Sequence, residues 1–206
     1  MKLFRICSLS LLLVFFSCLL TMASSGPTEA LKPTLQGMVD VLADPSFEGV
    51  EQKVSRREKI MGIVGQGFDF STMSKMVLGQ TWKKIDHQQR EHFEQLFTKL
   101  LENAYIGKLE DYSGQKNILY KDERIKGKKA AVSTVVESTG TPPLPVNYVM
   151  IEAVKGWQVY DINIEGVSLV RNYREQFKSI LRKKKFDGLI KVLEEKNASF
   201  NEEDIK

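Results

Sequence analysis

Apolar residues recur every three or four positions through the first half of the chain. Beyond Tyr112-Ser113-Gly114 they recur every second position instead. The first regime predicts helices and the second predicts strands. Leu31, Leu35, Met38 and Leu42 give a helix from Glu29 to Ala43, with Pro33 tolerable in a first turn and Asp44-Pro45 as the stop. A second helix carries Val50, Val54, Met61 and Val64 and ends at Gly65-Gln66-Gly67. A short third helix follows Phe68-Asp69-Phe70, with Met73 and Met76 or Val77 on one face and Gly79 at its end. The fourth is the clearest: Asp86 and Gln89 form a capping box, and Phe93, Leu96, Phe97, Leu100, Leu101, Ala104, Tyr105 and Leu109 make a wide apolar stripe.

The alternating half predicts strands at 116–121, 129–137, 146–154 and 157–164, with turns at Lys126-Gly127 and Lys155-Gly156. Thr141 to Pro145 is too rich in proline for a central strand and reads as an edge approach to the third. In the fourth strand, alternation puts Trp157, Val159, Asp161 and Asn163 on a wet face and Tyr160, Ile162 and Ile164 on an inner one, with Val149 and Ile151 inward from the third. Two helices, about 169–183 and 187–196, and a short charged tail from Ala198 complete the chain. Helices, then a meander of strands, then helices imply an α+β fold: about four antiparallel strands with helices packed on one face.

Composition narrows the setting. Lys2 and Arg5 precede an apolar run from Ile6 to Leu20, and Thr21-Met22-Ala23 supplies small residues at a cleavage position, so residues 1–23 read as a secretory signal peptide. A retained anchor and a lipidated Cys18 are the alternatives. Cys7 and Cys18 are the only cysteines, so a chain processed after Ala23 has no disulfide and no thiolate metal site. Its 28 basic and 26 acidic residues nearly balance, which gives no reason to expect a nucleic-acid partner.

Candidate chemistry is sparse. His87 and His92 are five residues apart and diverge on a helix, so they do not form a metal pair. No phosphate-binding glycine loop and no nucleophile elbow occurs. Asp161 and Glu165 are the one pair of acids placed like a general acid and base. The competing reading has them finishing a strand and starting a helix that Ser168 caps. What remains is an apolar wall, and pattern alone does not tell a filled interior from a hollow one. The run Arg182 to Lys185 reads as cations at a helix end or as an electrostatic patch.

Several stretches, in this order and spacing, resemble one family. They are Phe68-Asp69-Phe70 with Met73, then Val77-Leu78-Gly79 with Trp82, then the Phe93–Leu101 stripe and Tyr105. Pro145-Val146-Asn147-Tyr148, Trp157 and Tyr160-Asp161 come next, then Glu165-Gly166-Val167-Ser168-Leu169-Val170 with Asn172-Tyr173-Arg174 and Gln176-Phe177, and finally Asp187-Gly188-Leu189-Ile190. They resemble the MlaC family of periplasmic phospholipid-binding, or toluene-tolerance, proteins over residues 30–197; Asn147 departs from the acid more common there. The resemblance implies a curved sheet and helices of the nuclear-transport-factor-2-like kind, enclosing an apolar lipid pocket. It implies a non-enzymatic periplasmic carrier with no cofactor, whose cargo is a glycerophospholipid. The partners it implies are an outer-membrane lipoprotein complex and an inner-membrane ABC transporter with a lipid-binding ring component. Candidate pocket residues on this reading are Phe70, Met73, Val77, Phe93, Phe97, Leu101, Tyr105, Val149, Ile151, Tyr160, Ile162, Ile164, Val167, Val170, Tyr173 and Phe177.

Overall fold

A computed structural model describes residues 25–111, 116–138 and 140–203; the expected leader, with both cysteines, lies outside them. Helix α1 (Pro27–Ala43) starts two residues earlier than the pattern suggests, because Pro27 takes the first helical turn. Pro33 therefore sits inside the helix and forgoes one backbone bond. The Glu123 carboxylate, 95 residues away, accepts from the Thr28 N–H at 2.7 Å and caps the positive end. Two short 3₁₀ turns lead to α2 (Lys53–Gly67), whose buried side chains are Ile60 and Val64. Val50 and Val54, expected on that stripe, are 85% and 68% exposed. The stripe begins at Ile60, nearly two turns later, where α1 lies alongside: Gly37 packs on Ile63, and a Cβ on Gly67 would meet Thr34 Oγ1.

Helix α3 (Phe70–Leu78) is capped by Asp69, which accepts from the Thr72 N–H and hydroxyl at 2.8 and 2.6 Å. It ends at Gly79, whose φ of 55° favours glycine. The capping box of α4 (His87–Asp111) forms as expected, with Gln89 N–H donating to Asp86 at 2.8 Å and Asp86 N–H to Gln89 at 3.1 Å.

The sheet has five antiparallel strands in sequence order: β1 (Lys116–Lys126), β2 (Lys129–Ser138), β3 (Thr141–Ala153), β4 (Gly156–Ile164) and β5 (Val167–Ser168). The fifth, absent from the four-strand expectation, is two residues long and too short for a periodic signal. Of the β3 prolines, Pro145 pairs with Val135 of β2, while Pro142 and Pro143 fall where that register is irregular; all three lie beyond the last residue of β4, so the sheet asks no donor of them on that side. A bulge corrects the predicted faces. Val149 pairs with Asp161 and Met150 with Val159, which leaves Tyr160 as an extra residue. Before the bulge Trp157 and Val159 face the core, and after it Ile162 and Ile164 do, so strict alternation wrongly placed the first two on the wet side. In β3 the inward residues are Val146, Tyr148 and Met150; Val149 and Ile151 alternate with them and are half-buried.

The chain ends in α5 (Leu169–Glu203), broken at Lys185, whose φ of 62° and ψ of −168° are strained for a residue with a Cβ. Residues 169–184 run antiparallel to α4, with Phe177 against Phe93 and Tyr173 against Phe97. Residues 186–203 return along it, where the Asn197 side chain donates to the Leu96 carbonyl at 3.0 Å. The charged tail expected from Ala198 is helical as far as Glu203, because Phe200 still packs on the core.

Candidate ligand cavity

A cavity of about 510 Å³ lies between the inner face of the sheet and helices α1 to α4. An engineered cavity of about 150 Å³ already takes benzene, and ligand pockets generally span roughly 300–1,000 Å³, so this space is far larger than a packing defect. Leu35, Met38, Val39 and Leu42 of α1 form one wall, and Ile60, Met61 and Val64 of α2 continue it. Phe68, Phe70 and Met73 close one end. They are held there because the Asp69 N–H donates to the Val159 carbonyl at 2.8 Å, tying the α2–α3 link to β4. Leu101, Tyr105 and Ile106 of α4 face Ile118, Val136, Leu144, Val146, Tyr148, Ile162 and Ile164 of the sheet.

Of the 24 lining residues only Glu102 and Glu165 carry charge. Glu102 accepts from Lys99 at 2.9 Å. Glu165 and Val167 are the two exposed members of the lining and mark where the cavity opens to water. The Tyr105 and Tyr173 hydroxyls are hydrogen-bonded to each other, and burial pushes Tyr173 up to about 12. Burial raises Tyr105 and Tyr148 too, so all three remain neutral in ordinary conditions. An oily wall with Glu102 paired to Lys99 and Glu165 at the opening suits a ligand with a long apolar part and a polar end.

Seven of the sixteen expected pocket residues border this space: Phe70, Met73, Leu101, Tyr105, Ile162, Ile164 and Val167. Six others pack solidly between α3, α4 and α5. Phe93, Phe97, Tyr173 and Phe177 form a ring cluster with centroids 5.4 to 6.0 Å apart, and Val77 and Val170 are buried in the same core. Val149 and Ile151 lie on the other face of the sheet and Tyr160 sits in the bulge, so none of the three lines the cavity. The α1 and α2 wall was missed. Leu35, Met38, Leu42, Met61 and Val64 are visible as apolar positions in the sequence, but periodicity does not say which element a stripe faces.

Asp161 is not poised as a base. It accepts from the Ser168 hydroxyl at 2.6 Å and the Val170 N–H at 3.0 Å, and Ser168 accepts from the Arg171 N–H at 3.0 Å, so together they start α5. His87 and His92 turn to different acids, Glu91 at 3.3 Å and Glu194 at 3.4 Å.

Fold and cavity define the class: an α+β protein built around an apolar ligand chamber. The MlaC protein family model matches residues 32–195, and the chain belongs to that family. It is 29% identical over 124 residues to the intermembrane phospholipid transport system binding protein MlaC of Haemophilus influenzae; the match spans 58% of each chain. It is 22% identical over 166 residues to the toluene tolerance protein ttg2D of Pseudomonas putida, covering 80% of this chain and 77% of that one. Among solved structures it resembles a phospholipid-binding protein from Ralstonia solanacearum determined with a phospholipid, at a TM-score of 0.77 and 23% identity over 86% of this chain and 99% of that one.

Proposed function

We propose that the chain is a periplasmic phospholipid carrier that buries acyl tails in the cavity and leaves the headgroup near Glu165 and Val167. The cavity carries this reading: apart from Glu102, Glu165 and two tyrosines, its 24 lining residues are hydrocarbon or thioether side chains. Family membership and the phospholipid seen in the Ralstonia relative support it. The N-terminal pattern supports export. Among the described residues no helix is long and apolar enough to cross a membrane.

Each methylene buried is worth about 0.8 kcal/mol, so exposing two tails of some 15 carbons costs on the order of 20 kcal/mol. Free diffusion of such a lipid across water is therefore very slow. A protein chamber removes that cost, and by the same reasoning unloading needs an acceptor. In the cell the acceptors would be an outer-membrane lipoprotein complex and an inner-membrane ABC transporter with a lipid-binding ring component. A vesicle assay tests the carrier step itself. The protein should speed exchange of a fluorescent phospholipid between donor and acceptor vesicles in proportion to its concentration. Exchange no faster than with an unrelated protein would remove the proposal.

A further inference from the structure

Seven of the fifteen residues from Arg171 to Lys185 are Lys or Arg and one is acidic, leaving 23 basic against 25 acidic residues in all the rest of the chain. One helical segment thus holds more than the whole net charge of +4. Its placement makes this a surface feature. Val170, Tyr173 and Phe177 are buried against the body, whereas Arg171, Arg174, Lys178 and Arg182 are exposed at helical spacing on the outside. They form a ridge about 16 Å long at 1.5 Å per residue. Lys183, Lys184 and Lys185 extend it to the break. The acids nearest in sequence do little to neutralise it. Glu175 reaches Lys178 only at 3.8 Å with both side chains exposed, and Asp187 lies past the break. Arg174 lies over Gly79, beside the C-terminal end of α3.

We propose that this ridge docks the protein on an anionic bilayer surface; the proposal rests on the carrier reading only for its purpose. The choice of partner follows from what the ridge lacks. Stable protein interfaces centre on buried apolar anchors with a polar rim. Here the apolar side of the helix is already spent on the core, and what faces water is a row of cations. A bilayer rich in anionic headgroups needs only the number of charges, and four to eight Lys or Arg is the size of cluster that such surfaces retain. Leu169, two residues before the ridge, lines the cavity, so attachment along α5 holds the chamber beside the lipid surface.

The test is co-sedimentation of the processed protein with vesicles of phosphatidylcholine alone or with about a third phosphatidylglycerol. Each cation near such a surface contributes about fivefold to partitioning at low salt. The wild type should sediment with the anionic vesicles alone and be released in half-molar salt, where screening is nearly complete. Lys178→Gln with Arg182→Gln, and separately Lys183→Gln with Lys184→Gln, should each weaken attachment more than tenfold at unchanged melting temperature and unchanged bound lipid. Equal sedimentation with both vesicle types overturns the proposal, as does variant binding at the wild-type level. Failure to bind vesicles alongside salt-sensitive capture of an acidic protein overturns it in favour of a protein partner. Absence of bound lipid from the isolated wild type, before any vesicle is added, would strike the carrier reading instead, while salt-sensitive attachment to the anionic vesicles would still uphold the ridge.

Discussion

Phe97→Ala lowers stability by about 4 kcal/mol, near the middle of the range for deleting a buried aromatic ring. Phe97 is fully buried and touches Phe93, Tyr173 and Phe177, at centroid distances of 5.7, 5.4 and 5.9 Å. Its loss leaves a void among three rings that are themselves held between two helices and have little freedom to collapse. In a domain of this size such a change moves the melting temperature by roughly 8–16 °C. Urea melts of wild type and variant measure it. A loss below about 1 kcal/mol would show that the ring cluster is loosely packed and that α4 and α5 do not form the rigid back of the chamber. The lipid content of the folded variant should not change, since Phe97 does not border the cavity.

The second large effect has the opposite profile. Ile162→Trp should cut retained phospholipid at least tenfold while shifting the melting temperature by only a few degrees. Ile162 borders the cavity from near the end of β4, past the bulge and opposite Tyr148, and the added indole has open space to enter. In a filled core the same change would overpack and cost about 1–3 kcal/mol. The pair of readouts therefore separates hollow from solid. A variant that melts well below the wild type and keeps its lipid would mean that the space does not hold the tails. Side by side, the two variants assign the N-terminal half of α4 with α5 to rigidity, and the sheet with α1, α2 and the C-terminal half of α4 to cargo.

Local chemistry made much of the fold legible. The caps at Asp69, Asp86 and Ser168 are short-range hydrogen bonds, and the residues that make them stand three or fewer positions apart in the sequence. The turn glycines at 127 and 156 take positive φ, which their neighbours in sequence already suggest. Failures arose where a nonlocal contact decides. The bulge at Tyr160 exists only in the pairing of β3 with β4, and it reverses the face of everything before it. Val50 and Val54 continue a helical spacing past the point where α2 has a neighbour to bury them. For the cavity, the sequence supplied apolar positions but not their opposite numbers. It therefore pointed to the N-terminal half of the α4 stripe, where Phe93 and Phe97 meet α5, as readily as to its C-terminal half, where Leu101 and Tyr105 border the cavity. The family resemblance implied a pocket, and only the arrangement of helices shows which stripe borders it.

The central claim is that the chamber holds lipid, and native mass spectrometry of the gently isolated protein tests it most directly. The account predicts a dominant species heavier than the processed polypeptide by the mass of a phospholipid, reduced to the bare chain after solvent extraction. A spectrum showing only the bare chain from cells with intact envelopes, and no uptake when the protein is offered phospholipid, would contradict it.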